Sequence, residues 1–166
     1  KTKKLYGLNA SGRSPYSLTL DEFKKRGLKH IPADGPLPVS VPGCVDGWYE
    51  LHKKFGKTPM DKLLSHAIKY AREGYPVHDE AAGGWAAMVA RFGKYPNIKE
   101  VYAPNGAAPK RGEIFKNPAL ANTLEKIAKG GRDAFYKGEI AQTIDAFMKK
   151  VGGFITAKDL ADHTST

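Results

Sequence analysis

Arg13 is the residue of this sequence whose surroundings most favour binding chemistry. It lies between Gly12 and Ser14-Pro15, where glycine and the residue before proline favour an extended, turning backbone. A guanidinium held in such a loop can bind a carboxylate through two parallel hydrogen bonds, so Arg13 is a candidate substrate-binding residue. The alternative is a structural arginine that ties the loop to carbonyl groups, and the spacing alone favours that alternative.

The single cysteine and the histidines do not form the pattern of a nucleophilic or metal site. Cys44 follows a Pro-Gly pair near a predicted helix start, a position that favours a reactive thiolate. It also lies on the apolar stripe of that helix, so a small buried thiol is the expected state. No two histidines have the close helical spacing of zinc proteases, and no carboxylate cluster accompanies them, so no metal site is expected. The histidines are His30, His52, His66, His78 and His163.

The familiar catalytic motifs are also missing. The sequence contains no Gly-x-Ser-x-Gly nucleophile elbow, no P-loop and no dinucleotide-binding fingerprint. The residue types and their spacing therefore predict one candidate anion contact, at Arg13, and they predict no reaction.

The length and composition are those of one globular domain. The chain has 166 residues, of which 41% are hydrophobic and 27% are charged. This composition excludes a disordered protein, and residues 1–166 are expected to form one domain without a second. A lone cysteine excludes a disulfide framework. The longest apolar stretch, residues 81–90, is too short to cross a bilayer, so no membrane span is predicted.

The formal net charge of +10 raises the question of an anionic partner, since basic proteins often bind phosphates. The longest basic run covers only residues 24–26, and the other lysines and arginines are scattered near acidic residues. No Cys/His finger and no aromatic-rich strand motif of RNA-binding domains is present. A solvated, lysine-rich surface without a nucleic-acid partner is therefore expected. A basic helical module that binds nucleic acid or another polyanion remains the alternative function.

Apolar periodicity and capping residues predict helices along most of the chain. Thr19 is placed to cap a short helix, and Thr58-Pro59 to begin a longer one. Thr156 and Asp159 have the spacing of a capping box. The predicted helices cover residues 20–26, 44–55, 59–73, 79–92, 118–129 and 139–151, and a last helix begins at 157.

Extended and irregular segments are predicted between these helices. Residues 4–10 alternate partly in polarity and are expected to form a short N-terminal strand. Residues 30–43 are rich in proline, and residues 95–115 are rich in turn-forming residues, so irregular connectors are expected there. Several apolar side chains are predicted to lie on buried helix faces; they are Trp48, Leu51, Phe55, Leu63 and Leu120.

A series of sequence blocks, in a fixed order and spacing, is typical of one enzyme family. The first is residues 8–15, Leu-Asn-Ala-Ser-Gly-Arg-Ser-Pro, and the second is residues 35–48, Gly-Pro-Leu-Pro-Val-Ser-Val-Pro-Gly-Cys-Val-Asp-Gly-Trp. Further blocks lie at residues 67–77, 117–121, 130–138 and 152–156. Through these blocks the chain resembles the gamma-glutamyltranspeptidase family over nearly its whole length, in particular the glutaryl- and cephalosporin-acylase-like branch.

The resemblance implies an α+β fold, in which this mostly helical chain is a fragment of the four-layer αββα sandwich of N-terminal-nucleophile hydrolases. In that family the precursor cuts itself into a large and a small chain, which exposes a threonine at the start of the small chain. The threonine attacks a gamma-glutamyl or glutaryl-type amide, and the resulting acyl-enzyme passes the acyl group to water or to an amine. No cofactor is implied. Residues 1–166 resemble the middle of the large chain.

The resemblance also places the nucleophile outside this chain. Thr164 and Thr166 match positions far upstream of the family's processing site, so no catalytic residue is assigned here. The isolated chain is accordingly expected to be inactive, and its implied partners are the small chain and a small-molecule amide substrate. A periplasmic or extracellular location and a cytoplasmic one both remain open.

One departure from the family pattern bears on the substrate. The resemblance implies that an arginine just ahead of the Ala-Pro element binds the substrate α-carboxylate. Ser11 stands at that place in this chain, and Arg13 lies two residues later, in the pattern of the acylase-like branch. The departure leaves a broader acyl-amide hydrolase open beside strict glutathione specificity, and it keeps Arg13 as the candidate substrate-binding residue.

Overall fold

Helices account for most of the regular structure, as the apolar periodicity predicts. The structure is a computed structural model, and it describes residues 3–166. The helices are α1 (Leu20–Lys25), α2 (Cys44–Phe55), α3 (Met60–Glu73), α4 (Asp79–Phe92), α5 (Ile98–Tyr102), α6 (Pro118–Tyr136), α7 (Glu139–Lys150) and α8 (Ala157–Ala161). The strands β1 (Tyr75–Pro76) and β2 (Ile114–Phe115) pair in antiparallel fashion, with Tyr75 opposite Phe115.

The predicted helix starts are confirmed where a side chain caps the first turn. Thr19 Oγ1 accepts a hydrogen bond from the Glu22 amide at 3.3 Å, which fixes the start of α1. At α8, Thr156 Oγ1 accepts from the Asp159 amide at 3.2 Å and Asp159 Oδ2 accepts from the Thr156 amide at 2.9 Å, so the capping box is complete. Such caps satisfy amides that have no partner within the helix.

The predicted N-terminal strand over residues 4–10 is wrong. This segment is extended, but the described chain offers it a single backbone partner, Thr166. The Asn9 amide donates to the Thr166 carbonyl at 2.7 Å, and the Thr166 amide donates to the Asn9 carbonyl at 2.9 Å. One reciprocal pair of this kind is the unit of an antiparallel ladder, and a strand needs several in succession.

Several other predicted boundaries differ from the structure, and α1 and α7 each end one residue earlier than expected, at Lys25 and Lys150. The third helix begins at Met60, one residue later than expected. The region 95–115 contains the short helix α5 and the strand β2 rather than loop alone. The backbone does break at Gly131, whose φ of 72° and ψ of −165° are not helical, but helical structure resumes and extends to Tyr136. Glycine tolerates this positive φ, so the break does not end the segment.

The chain divides into two compact units, which we describe separately. The first contains the chain up to Met60 together with Lys126–Thr166. Its core consists of buried side chains from both parts; they are Val41, Val45, Ile127, Tyr136, Ala141, Met148, Ile155 and Leu160. The second unit is Asp61–Glu125, and its core includes Ala71, Val77, Ala103, Phe115, Ala121 and Leu124. Burial of these apolar surfaces stabilises each unit.

The predicted buried face of α2 is largely exposed. Val45 is buried, but Trp48, Leu51 and Phe55 are 38%, 53% and 50% exposed, and Cys44 is exposed as well. The expectation of a buried Cys44 thiol is therefore wrong. Leu63 in α3 and Leu120 in α6 are also about half exposed, at 50% and 47%. The periodicity is amphipathic in each case, yet no described residue packs over these side chains closely enough to bury them.

None of the helices formed by residues 3–166 combines the length and the apolar character that crossing a bilayer requires.

Two glycines allow the loop that contains Arg13 to pack directly on the segment before α2. A Cβ at Gly12 would lie 1.5 Å from the Val41 carbonyl oxygen, and a Cβ at Gly43 would lie 1.8 Å from the Ala10 carbonyl oxygen. The Val41 amide also donates to the Arg13 carbonyl at 3.0 Å. Only glycine permits such close backbone approach, so these residues fix the position of the loop.

We expect Gly12→Ala to lower the free energy of unfolding by about 1–3 kcal/mol, because the added methyl group must push two backbone segments apart. Gly83→Ala is the matched control, since a Cβ there meets nothing within 4 Å. It lies inside α4 and is expected to stabilise by about 0.5–1 kcal/mol. Urea unfolding of both variants measures the difference. Equal midpoints would contradict the close packing of the loop.

Candidate functional site

Two buried aspartates in the first unit each hold an arginine from a distant part of the chain. Asp46 lies in the first turn of α2 and pairs with Arg132 of α6. Asp159 lies in α8 and pairs with Arg13 of the N-terminal loop. Their exposed fractions are 2% and 1%. A buried carboxylate is tolerated when it is paired and hydrogen-bonded, and both aspartates meet that condition.

Asp46 uses both carboxylate oxygens. Oδ1 accepts a hydrogen bond from Arg132 Nε, while Oδ2 accepts from the Ser165 amide at 2.7 Å and from the Ser165 hydroxyl at 2.5 Å. Burial alone would raise the pKa of Asp46, but the hydrogen bonds from Ser165 and Arg132 outweigh it, so the pKa lies below its usual value. Asp46 is therefore ionised at neutral pH and holds residue 165 against α2.

Arg132 completes this network with its remaining nitrogens. Nη1 donates to Asp133 Oδ1 at 3.1 Å, and Nη2 donates to the His163 carbonyl oxygen. The guanidinium carbon also lies 4.5 Å from the centre of the Tyr136 ring. Through these contacts Arg132 connects α6 with α2 and with the segment that contains His163.

Tyr136 and His163 lie beside this pair. The Tyr136 hydroxyl donates to the Pro42 carbonyl at 2.7 Å and accepts from the Asp46 amide at 3.1 Å. The His163 ring stacks on the Tyr136 ring at 5.3 Å, and its Nε2 lies 3.8 Å from Asp46 Oδ2 with no hydrogen-bond partner. Burial lowers the pKa of His163 more than the charge of Asp46 raises it. His163 is therefore neutral at neutral pH.

Asp159 also uses both of its oxygens. Oδ1 accepts from Arg13 Nη1 at 3.0 Å and from the Tyr16 amide at 2.8 Å. Oδ2 accepts from the Thr156 amide at 2.9 Å and from the Thr156 hydroxyl at 2.6 Å. Burial would raise the pKa of Asp159, but these hydrogen bonds lower it below its usual value. The Asp159 carboxylate therefore both caps the first turn of α8 and holds the N-terminal loop.

The structure places Arg13 against protein groups on several sides. Nη1 also donates to the Ser14 carbonyl at 2.9 Å, Nη2 lies 3.4 Å from the Asp159 carbonyl oxygen, and the guanidinium carbon lies 3.4 Å above the Tyr16 ring. Its side chain is 33% exposed. These are the contacts of the structural alternative that the sequence analysis left open. A contact between Arg13 and a substrate carboxylate stays a prediction.

Ser11, at the turn of the same loop, is exposed. Its amide donates to Asn9 Oδ1 at 2.9 Å, which closes a local side-chain turn. The Ser11 side chain is exposed, as are Asn9 and Ser14, whereas the Arg13 guanidinium is bonded to Asp159. Asn9 and Ser11 are thus presented by a loop whose two ends are held, by Thr166 and by Asp159.

The other residues considered in the sequence are not brought together. Among residues 3–166 no group of three metal-ligating side chains is close enough to hold a metal ion. His78 Nδ1 accepts from the Ala81 amide at 3.5 Å and so caps α4, while His52 Nε2 lies 2.7 Å from the Thr58 carbonyl oxygen. Each of these two histidines has a local contact.

The sequence analysis missed the Asp46 network. Asp46 carries one weak local signal, an acidic residue in the first turn of a helix. Arg132, His163 and Ser165 carry none, because their partners lie far away in the sequence. The Ser165 hydroxyl donates to the Asp46 carboxylate, so His163 is not the partner of this hydroxyl. The Asp46 network connects α2, α6 and the segment around residue 165.

We expect Asp46→Asn to lower the free energy of unfolding by about 3 kcal/mol at pH 7, because it breaks a buried ion pair. Since the pKa of Asp46 is lowered in the folded state, its contribution is complete above the unfolded pKa of about 3.9 and is lost as the pH falls through the folded pKa. The difference between wild type and variant therefore shrinks on acidification.

Asp133→Asn is the matched control for this experiment. Asp133 also pairs with Arg132, but its side chain is 59% exposed, and solvent screening leaves such an exposed ion pair with little effect on stability. Urea unfolding at a series of pH values measures both variants. Parallel curves for Asp46→Asn and wild type across the acidic range would contradict the role of the ionised carboxylate.

Comparison with known proteins identifies the family. The family model described as gamma-glutamyltranspeptidase matches residues 1–166. A glutathione hydrolase-like proenzyme of Bacillus subtilis, YwrD, is 33% identical over 164 residues, which are 98% of this chain and 31% of that protein. The curated relatives are longer, and this chain spans between 20% and 31% of those it matches.

Solved structures agree with the sequence comparison. The cephalosporin acylase of Bacillus halodurans superposes with a TM-score of 0.94 and 39% identity, over 100% of this chain and 32% of that one. The gamma-glutamyltranspeptidase of Helicobacter pylori superposes with a TM-score of 0.89 and 32% identity, over 96% of this chain and 47% of that one. The resemblance predicted from the sequence blocks is confirmed: the chain belongs to the gamma-glutamyltranspeptidase family.

Proposed function

We propose that this chain is part of an enzyme that cleaves gamma-glutamyl or glutaryl-type acyl amides and passes the acyl group to water or to an amine. The observation that carries the proposal is the likeness along the whole chain to both an acylase and a gamma-glutamyltranspeptidase. The match includes the region of the Asn9–Ser11 turn and of the two aspartate–arginine pairs. The chain corresponds to the middle of the large chain of such an enzyme.

The proposed reaction uses a threonine that this chain does not contain. Its hydroxyl oxygen attacks the carbonyl carbon of the amide, and its own α-amino group takes the hydroxyl proton. The C–N bond then breaks, the proton goes to the leaving amine, and an ester-linked acyl-enzyme remains. Water or an acceptor amine attacks the ester and restores the threonine. Thr164 and Thr166 are not proposed for this role, because the family resemblance places them far upstream of the processing site.

The exposed apolar surface supports a longer polypeptide around this chain. Trp48, Leu51 and Phe55 lie on one face of α2 and are about 40–50% exposed, although such side chains are usually buried. The relatives are several times longer. We infer that the rest of the precursor, including the small chain, covers this face and completes the four-layer sandwich. The isolated chain is then inactive.

The loop geometry bears on the acyl group. An enzyme that binds the α-carboxylate of a gamma-glutamyl substrate needs a cation at this loop. The exposed position holds Ser11, and the nearby cation, Arg13, is bonded to Asp159. We therefore propose an amidohydrolase of broad acyl specificity. Because position 11 is a serine, it supplies no guanidinium to the subsite for the α-carboxylate. Whether Arg13 reaches the acyl group remains a separate prediction.

The basic surface does not favour the polyanion-binding alternative. Several of its lysines and arginines pair with an acidic residue three or four positions away along the chain, as in Arg26–Glu22 at 2.9 Å and Lys158–Asp162 at 2.6 Å. Such pairs are typical of a solvated helix surface.

The test uses the full-length protein that contains this chain, first characterised by intact mass and N-terminal sequencing. We expect two chains, the smaller beginning with threonine, and release of p-nitroaniline from gamma-glutamyl- and glutaryl-p-nitroanilide. Ser11→Arg is then expected to lower KM for gamma-glutamyl-p-nitroanilide by about tenfold, because a charged hydrogen bond of about 1.5–3 kcal/mol is added.

The matched substrate for the variant is 4-aminobutanoyl-p-nitroanilide, which lacks only the α-carboxylate, and its KM should not change. Ser11→Ala, which removes the hydroxyl without adding charge, should leave both KM values near those of wild type. An unprocessed wild-type protein that hydrolyses none of the anilides would contradict the proposed function. An equal effect of Ser11→Arg on both substrates would contradict the place given to Ser11.

A further inference from the structure

The contacts of Asp159 join the N-terminal loop to α8 at two successive points. Its Oδ1 holds the Arg13 side chain at 3.0 Å and the Tyr16 backbone amide at 2.8 Å. The Tyr16 ring lies under the Arg13 guanidinium, and the Tyr16 hydroxyl donates to Asp162 Oδ2 at 3.2 Å. The end of the loop is thus attached to α8 through side chain, backbone and ring together.

A substrate carboxylate would have to compete with Asp159 for Arg13. Asp159 is ionised, 1% exposed and already fixed by its bonds to Thr156. Removing one partner of such a buried pair leaves a charge without compensation, which is strongly unfavourable. The Arg13 guanidinium is therefore committed to the protein, although part of its side chain is exposed.

The segment that precedes Arg13 depends on this attachment. The Arg13 carbonyl accepts from the Val41 amide at 3.0 Å, and Gly12 lies directly against the Val41 carbonyl. On the other side of the turn, Asn9 is paired with Thr166. Between these two fixed points only Ser11 and its neighbours face solvent. We expect loss of the Arg13 side-chain contacts to loosen the C-terminal end of this loop and, through it, the position of Ser11.

From this geometry we propose that Arg13 and Asp159 form a positioning pair, which fixes the turn at Asn9–Ser11 for the substrate without contacting the substrate itself. Arg13 is then a positioning residue, and Asp159 is a second one that the sequence analysis did not identify. The substrate part of this inference rests on the proposed function. The claim that the pair holds the turn does not rest on the proposed function, and hydrogen exchange can test it separately.

The experiment compares Arg13→Gln, Asp159→Asn and the double variant in the full-length protein. The first readout is hydrogen exchange of the peptide that covers residues 9–16. Each single variant is expected to speed exchange there by about tenfold or more, since a charged hydrogen bond is lost. The double variant should exchange no faster than the faster single variant, because the two residues act as one pair. Exchange in the core of α7 should not change.

The second readout is the kinetics of gamma-glutamyl- and 4-aminobutanoyl-p-nitroanilide. If Arg13 and Asp159 form a positioning pair, we expect Arg13→Gln and Asp159→Asn to lower kcat/KM by the same factor, about tenfold, for both substrates. Arg13→Lys, which keeps the charge and one hydrogen bond, should recover part of the loss. Protein concentration is corrected for the fraction that is folded and processed.

Two controls separate the pair from its surroundings. Thr156→Val removes the hydroxyl contacts of the capping box but keeps the Thr156 amide and the Arg13–Asp159 bond, so it should change exchange at residues 9–16 much less than Arg13→Gln does. Arg72→Gln removes the ion pair between Arg72 and Glu125, whose charged groups lie 2.8 Å apart in the second unit. It should change neither hydrogen exchange at residues 9–16 nor kcat/KM.

Two results would overturn the inference. If Arg13→Gln raises KM only for the substrate with the α-carboxylate while Asp159→Asn has no effect, Arg13 contacts the substrate directly. If all loop variants lower overall stability but leave loop exchange and kcat/KM of the folded enzyme unchanged, the pair is merely structural. If wild type hydrolyses neither anilide, the proposed function fails, whereas the exchange readout still decides whether the pair holds the turn.

Discussion

The first unit depends on the requirement that a buried carboxylate be paired. Asp46 and Arg132 are separated by 86 positions in the sequence, and Asp159 and Arg13 by 146, yet each pair is closed inside the fold. Water cannot solvate these aspartates, so the free energy of the folded state depends on bringing the arginines to them. The N-terminal loop, α2, α6 and the segment around residue 165 therefore take one relative arrangement.

The apolar core and the glycines support the same arrangement. Tyr136 is fully buried and joins the two kinds of interaction, because its ring packs in the core while its hydroxyl bonds Pro42 and Asp46. Gly12 and Gly43 let the N-terminal loop approach the segment before α2 without a side chain between them. The N-terminal loop is thus held by backbone contacts to the segment before α2 and, at its end, by Asp159. This rigid presentation of a turn suits a substrate site, where small displacements reduce the rate.

Local features of the fold could be predicted from the sequence, and distant ones could not. The bounds of α4 and the capping box of α8 were predicted because their signals lie within a few residues of one another. Arg132 gave no signal, because nothing near it in the sequence indicates that its partner is Asp46. Leu51 and Phe55 were wrongly assigned to a buried face, since periodicity shows that a face is apolar but not that this chain covers it. Arg13 was found from its place in a glycine-containing loop, but only the structure shows that its guanidinium already has a carboxylate.

Under the proposed function the Arg13–Asp159 pair gains a role, because the turn that this pair holds is proposed to face the substrate. The most direct test of the account is a double-mutant cycle on Asp46→Asn and Arg132→Gln, measured as the free energy of unfolding at neutral pH. We predict that the two changes are strongly non-additive, with a coupling of at least about 1 kcal/mol, since residues in one buried network share their loss. Additivity within about 0.5 kcal/mol would contradict it, because the two residues would then stabilise the fold independently.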